Sequence, residues 1–315
     1  MSVPLLALAF AVVCLASYQI GRYASAIRLP YITGYLFAGV LVGSFGLGLI
    51  PSERAPDLRF VDELALAVIA FVAGSELSLP ELRRRLRPIL LSTGGILVVA
   101  LTLLAGTLFV LTAALPFAQG WGVAARVATA LLGATILLAL SPPSTIAVIK
   151  EVRASGPFTR TALSVTVFMD VVIIVLFAVS ASVASALLLD VALNLGFVGL
   201  LAAELATAVG LGLAAGQLLR GLLATRLPRL AKTAFVLVAG FGIYELARWV
   251  KMTTLAAWGT EFYIEPLLIA MIAGFVVANF TRHRDEFEAI LHDVGPAVYV
   301  AFFTLTGLTL KLDLL

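Results

Sequence analysis

The amino-acid sequence predicts an all-α polytopic membrane protein of about ten transmembrane helices, and two observations carry that prediction. Of its 315 residues, 62% are hydrophobic and 12% charged, with a mean hydropathy of +1.10. Soluble domains are about half apolar and about a quarter charged. The apolar residues also gather into ten stretches, each near the roughly 20 residues that a helix needs to cross a bilayer. This composition excludes a water-soluble enzyme, a secreted disulfide scaffold and a disordered chain. Cys14 is the one cysteine and has no partner for an internal disulfide.

The spans lie near 3–21, 30–49, 60–79, 88–115, 122–150, 160–188, 195–219, 230–249, 262–280 and 294–312. Each must be helical, because lipid leaves no unpaired backbone group satisfied and no segment alternates like a barrel strand. The first span lacks a basic leader and reads as part of the bundle rather than as a cleaved signal. Lys and Arg set the orientation. With the N-terminus outside, 15 of the 21 basic residues fall on inside segments and 6 outside. That bias explains the basic pI of 9.2 without a nucleic-acid partner. Within it, the Arg83–Arg87 run reads as a topology signal or as a lipid-binding patch.

The chain repeats itself. Span two contains Ala38-Gly39-Val40-Leu41-Val42-Gly43, and span nine contains Ala273-Gly274-Phe275-Val276-Val277-Ala278. Span three ends Gly74-Ser75-Glu76-Leu77-Ser78-Leu79, and span ten ends Gly307-Leu308-Thr309-Leu310-Lys311-Leu312. The paired features are offset by 233–235 residues. Seven helices separate them, an odd number, so the two copies run in opposite directions, as inverted repeats of secondary transporters do. The first copy continues into spans five and six. Counterparts of residues 141–170 would fall near 375–405, so the second repeat is expected to be incomplete here and the chain to be part of a longer carrier. The whole of 1–315 is expected to form a single transmembrane domain.

Span five carries Ser141-Pro142-Pro143-Ser144-Thr145. Adjacent prolines remove two backbone donors, clash with the preceding turn and push the residues before them out of the helical region. The helix is therefore expected to be discontinuous near 141–145, with Ser144 or Thr145 capping the new start. Broken helices of this kind bind ions near the bilayer midplane; a plain packing kink is the alternative. Span six carries Asp170 about midway along its length, the one acid between Glu151 and Asp190. A carboxyl at that depth is costly and functional by default. Desolvation penalises its ionised form, so a proton and a cation become interchangeable ways of neutralising it. A structural ion pair is the alternative, but no Lys or Arg lies at comparable depth.

Other polar residues read less sharply. Glu76 and Glu81 sit at the inner end of span three, as funnel or interfacial charges. Glu204 lies inside span seven, as a pairing group or a headgroup neighbour. His283 and His292 flank the last loop as solvated histidines or pH sensors. Gly212 and Gly216 suit close helix association. No zinc spacing, phosphate loop, nucleophile elbow or nucleotide fingerprint is present.

Leu29-Pro30-Tyr31-Ile32-Thr33-Gly34-Tyr35-Leu36-Phe37-Ala38-Gly39 resembles the second-helix motif of bacterial monovalent cation:proton antiporters. Phe71-Val72-Ala73-Gly74-Ser75-Glu76-Leu77 resembles that family's Phe-x-x-Gly-x-Glu-Leu. Ser144-Thr145-Ile146-Ala147-Val148-Ile149-Lys150-Glu151, followed by Gly156, Thr161 and Asp170, is similar to its broken helix and ion-site helix. Ala273-Gly274 and Phe302-Phe303 with Gly307 match its later helices. The set resembles the cation:proton antiporter-2 branch, which includes Kef-type potassium-efflux systems.

The resemblance implies a core domain around the ion site, a separate dimerisation domain and hence a homodimer. It implies that Asp170 alternately binds cation and proton. Ser141, Ser144 and Thr145 stand beside it as ion ligands, with Met169, Glu76 and Thr306 as accessory candidates. Two departures stand out. The residue before the acid is Met169, where Gln, Asn or Asp is frequent. The position of a frequent helix-opening basic residue is held by Gly295. One titrating acid without that base favours electroneutral exchange.

The expected function is secondary exchange of Na⁺ or K⁺ for H⁺ in a bacterial-type inner membrane, with no cofactor and the lipid bilayer as partner. A missing C-terminal transmembrane or regulatory segment is a further expected partner. A transport-inactive sensor or interaction module with the same fold, and a Kef-type potassium pathway, are the alternatives. A membrane enzyme is not expected, since one buried acid lacks a nucleophile, metal or base partner.

Overall fold

A computed structural model of the chain describes residues 3–189, 195–259 and 261–310. Asp190, Lys311 and Leu312 lie outside the described residues. Eleven α-helices are present among the described residues: α1 (Val3–Ala26), α2 (Tyr31–Val42), α3 (Arg59–Glu76), α4 (Leu79–Ala114), α5 (Val123–Leu137), α6 (Pro142–Glu151), α7 (Pro157–Leu189), α8 (Leu195–Leu223), α9 (Arg229–Trp258), α10 (Pro266–Phe280) and α11 (Arg284–Thr309). Each of the ten spans read from the sequence contains a helix, and the fifth is split into α5 and α6. Among the described residues six helices are long and apolar enough to cross a membrane by length and composition: α1, α9 and α11, and the apolar parts of α4, α7 and α8.

Three boundaries correct the hydropathy reading. The span near 30–49 contains only a 12-residue helix. After Val42 the chain doubles back, with Leu49 N–H and Ile50 N–H both donating to the Val42 carbonyl. Glycines 43, 46 and 48 permit this, and Gly48 takes φ +63°. Hydropathy cannot register the turn because its residues are as apolar as the helix. The last helix begins at Arg284 rather than near 294. Its first turns are polar but well paired, as in the Arg284–Glu288 pair at 2.6 Å. His292 and Gly295 are therefore inside α11, not ahead of it. α9 likewise runs on to Trp258 through a charged stretch that an apolar window truncates.

The chain forms two compact units. Unit 1 comprises Met1–Ser78, Ile146–Ala154 and Ala208–Leu315. In it α3 packs on α9, α10 and α11, and α2 packs on α1 and α11. Residues Ala65–Ser75 of α3 are almost entirely buried, and Phe71 meets Phe287 edge-on at 5.9 Å. Unit 2 comprises Leu79–Thr145 and Ser155–Thr207, with α4, α5 and α7 mutually packed. α4 exposes Leu90, Leu91, Val98, Val99, Leu103 and Val110, an apolar surface suited to lipid.

The repeat glycines hold unit 1 together in a reciprocal register. A Cβ at Gly39 would overlap the Thr304 carbonyl, and one at Gly307 would overlap the Leu36 carbonyl. A Cβ at Gly74 would overlap the Met271 carbonyl, and one at Gly274 would overlap the Phe71 carbonyl. Each glycine sits on the carbonyl three residues before its partner glycine. The repeat exchanges Gly39 with Gly274 and Gly74 with Gly307, so it carries the α2–α11 contact onto the α10–α3 contact. Two copies related by a two-fold axis produce this pattern, and small residues are what allow the close approach. Gly74→Leu is expected to yield little folded protein, because backbone rather than a yielding side chain blocks the space. Gly94→Ala, in open space on α4, is expected to be neutral or mildly stabilising. Monodisperse yield and thermal midpoint in detergent check both.

Candidate ion site

Asp170, Met169, Ser141, Ser144 and Thr145 all lie in unit 2. α5 ends at Leu137, and the non-helical residues 138–141 separate it from α6. The prolines occupy the first two helical positions of α6. Their missing N–H groups are ones a helix start cannot satisfy anyway.

The first N–H that needs a partner therefore belongs to Ser144, and Ser141 supplies it. Ser141 Oγ accepts from Ser144 N–H at 3.3 Å and donates to Ser144 Oγ at 3.0 Å. The cap is thus Ser141, not Ser144 or Thr145 as the sequence suggested. The cap must precede the first helical residue, and Pro142 already holds that position. Thr145 instead folds back: its N–H and its hydroxyl both donate to the Ser141 carbonyl, at 3.1 and 3.0 Å. Three oxygen-bearing side chains are thereby gathered at the start of α6, where the helix dipole is positive, while α5 ends in carbonyls across the gap. Ser141→Ala is expected to cost about 1 kcal/mol of local stability. Hydrogen exchange of the Ser144 amide should speed up by roughly fivefold.

Asp170 lies midway along α7 and is partly buried. It has no hydrogen bond or ion pair among the described residues, so the structural ion pair weighed from sequence is not made there. The turn of α7 that follows it is apolar. One turn on, Ile173 and Ile174 line an apolar cavity of about 360 Å³ with Ala139, Ile136 and Phe177. Ala139 belongs to the break, so the α7 turn that follows Asp170 faces the end of α5. Thr135 and Ser180, both fully buried, share a hydrogen bond of 3.0 Å that ties α5 to α7 across the cavity's flank. Met169 is fully buried and packs the core of unit 2.

The other two accessory candidates belong to unit 1. Glu76 ends α3, exposed, with its carboxylate 3.7 Å from Lys150 Nζ. Thr306 donates to the Phe302 carbonyl and lines a cavity of about 810 Å³ with Glu53, Arg59, Asp62 and Thr309. Glu204 lies within α8 and has an interaction partner. His283 precedes the first residue of α11, and its Nδ1 stands 3.8 Å from Glu286. Gly212 and Gly216 press α8 against Ile272 and Val276 of α10.

Sequence reasoning missed three polar constructions. Both Glu151 oxygens take the Tyr31 N–H at 2.7 Å, which caps α2, whose own cap residue is Pro30. Two of the resemblance motifs thus meet. Lys232, only 6% exposed, donates to Glu286 at 2.6 Å and to the Leu223 carbonyl at 2.7 Å. Glu63, 4% exposed, pairs with Arg59 at 2.7 Å and with Arg248, and Arg248 also pairs with Glu245 at 2.6 Å.

The sequence profile of the family described as "Sodium/hydrogen exchanger, transmembrane" matches residues 8–315. The Na(+)/H(+) antiporter NhaS5 of Synechocystis sp. is 25% identical over 293 residues, 91% of this chain and 37% of that protein. The chain thus spans little more than a third of the length of that curated relative. The sodium proton antiporter MjNhaP1 of Methanocaldococcus jannaschii, solved at pH 8, superposes with a TM-score of 0.68 at 18% identity, over 99% of this chain and 72% of that one. An electron-microscopy structure of the same antiporter gives 0.72 at 18% identity, over 99% and 71%. These two likenesses establish the fold.

Proposed function

This chain belongs to the transmembrane sodium/hydrogen exchanger family, and on that premise we propose that it exchanges a monovalent cation, Na⁺ or K⁺, for H⁺ by alternating access. The observation that carries the reading is the broken helix. The gap at residues 138–141 leaves Ser141, Ser144 and Thr145 clustered at a helix start, in the same compact unit as the mid-helix Asp170. A continuous helix would leave no backbone free for an ion at that depth.

Asp170 is the shared site. Protonated, it is neutral and tolerated among apolar neighbours. Ionised, it needs a dehydrated cation to compensate its charge. Serine and threonine oxygens suit hard monovalent cations as additional ligands. Both loaded forms can cross while the bare carboxylate cannot, so the two fluxes are coupled without a second titrating group. Exchange is then one-for-one and electroneutral, consistent with Met169 standing before the acid where a polar residue is frequent. The protein works as a homodimer in a bacterial-type inner membrane with its N-terminus outside, and it belongs to the cation:proton antiporter-2 branch.

The test is proton flux in proteoliposomes with an imposed pH gradient. Adding Na⁺ or K⁺ should collapse the gradient without generating a membrane potential, while choline should not. A gradient insensitive to every alkali cation would remove the proposal.

A further inference from the structure

A polar cavity of about 780 Å³ lies in unit 1 between α8 and the turn joining α10 to α11. Gln217 and Arg220 line it from one face of α8, three residues apart. Asn279, Thr281, Arg282 and His283 line it from the turn. No carboxylate is among the lining residues.

The walls are built. Gly212 and Gly216, five residues and one residue before Gln217, lock α8 onto α10. Asn279 Nδ2 donates to the Leu77 and Phe275 carbonyls at 2.7 and 2.9 Å. Thr281 Oγ1 donates to the Val277 carbonyl and accepts from His283 N–H, which fixes the turn.

The guanidinium groups, by contrast, have no acidic partner among the described residues. Arg282 has no hydrogen-bond or ion-pair partner among the described residues, and Arg220 is held only by Gln217 at 3.3 Å. The acid beside the turn, Glu286, is already taken by Lys232 at 2.6 Å, with His283 Nδ1 3.8 Å away. Two cationic forks without an acidic partner among the described residues thus face one cavity from opposite walls. A topology signal needs basic residues in the loops but no cavity and no facing pair.

We propose that this cavity binds a phosphate-bearing anion, either the headgroup of an anionic phospholipid or a free phosphate compound. Guanidinium forks match phosphate oxygens with paired hydrogen bonds, and His283 and Gln217 add donors at the rim. Basic pockets between helix ends are where membrane proteins hold anionic headgroups. The site stands apart from ion exchange, so its fate does not decide that of Asp170.

The experiment uses the purified, delipidated protein and reads its thermal midpoint as phosphatidylglycerol, phosphatidylcholine or inorganic phosphate is added. Phosphatidylglycerol should stabilise the protein and phosphatidylcholine should not. The double variant Arg220→Gln/Arg282→Gln should weaken the response by about tenfold. Arg226→Gln, an exposed loop residue outside the cavity, should leave it unchanged. Stabilisation by inorganic phosphate alone, lost in the double variant, also supports the site and identifies the soluble ligand. Equal responses of wild type and double variant to both phosphate-bearing probes would overturn the assignment.

Discussion

Asp170→Asn should fold normally and lose proton-coupled cation flux down to the level of protein-free liposomes. Asparagine keeps the size and hydrogen-bonding capacity of the protonated acid, so the packing of α7 is undisturbed. It can neither release a proton nor offer a charge to a cation. Asp170→Glu keeps the charge but moves it by one methylene, so it should retain partial exchange with a displaced pH profile. The pair separates chemistry from packing, because a purely structural role would make Asp170→Glu the worse variant. The check is cation-driven alkalinisation in proteoliposomes, with matched yield and thermal midpoint. Wild-type flux in well-folded Asp170→Asn would transfer the search to Glu76 and Glu204.

Glu63→Ala should destabilise unit 1 by about 1.5–3 kcal/mol, the range for losing hydrogen bonds between charged groups. Glu63 is the acceptor shared by Arg59 of its own helix and Arg248 of α9. Its removal leaves Arg248, whose guanidinium also leans on Glu245, with a lost partner where α3 meets α9. Arg59 and Arg248 keep contact with solvent, so the loss is that of charge-assisted hydrogen bonds to one buried acceptor. Glu63→Gln, which keeps an acceptor without the charge, should fall between wild type and alanine. Thermal midpoint and surviving fraction after heating in detergent check the ordering. A Glu63→Ala protein within about 1 kcal/mol of wild type would place this network among the weak surface pairs.

Local chemistry was legible in the sequence and long-range pairing was not. The break in span five follows from Pro142-Pro143 alone, because two missing donors act wherever they stand. The repeat was legible because Gly39, Gly74, Gly274 and Gly307 are each required by backbone contact, so the spacing survives where side-chain identity does not. Glu63 and Arg248 are 185 residues apart, and each reads singly as a charge near a span end. Lys232 likewise read as one more inside charge, although it is buried against Glu286 and the end of α8. The Ser141 cap was misplaced because cap position depends on where the first helical residue falls. Within the candidate site, Asp170 stood out as a lone acid in an apolar run. Thr135 and Ser180 did not, because a hydroxyl in a membrane helix can always bond its own backbone, as Thr135 also does to the Leu131 carbonyl.

The central claim is that one carboxyl is shared by proton and cation. It is tested most directly by proton release from purified protein in weakly buffered detergent solution when Na⁺ or K⁺ is added. At a pH where Asp170 is protonated, the wild type should release up to about one proton per chain as the cation binds, and Asp170→Asn none. Cation binding without proton release, or release that persists in Asp170→Asn, would contradict the account.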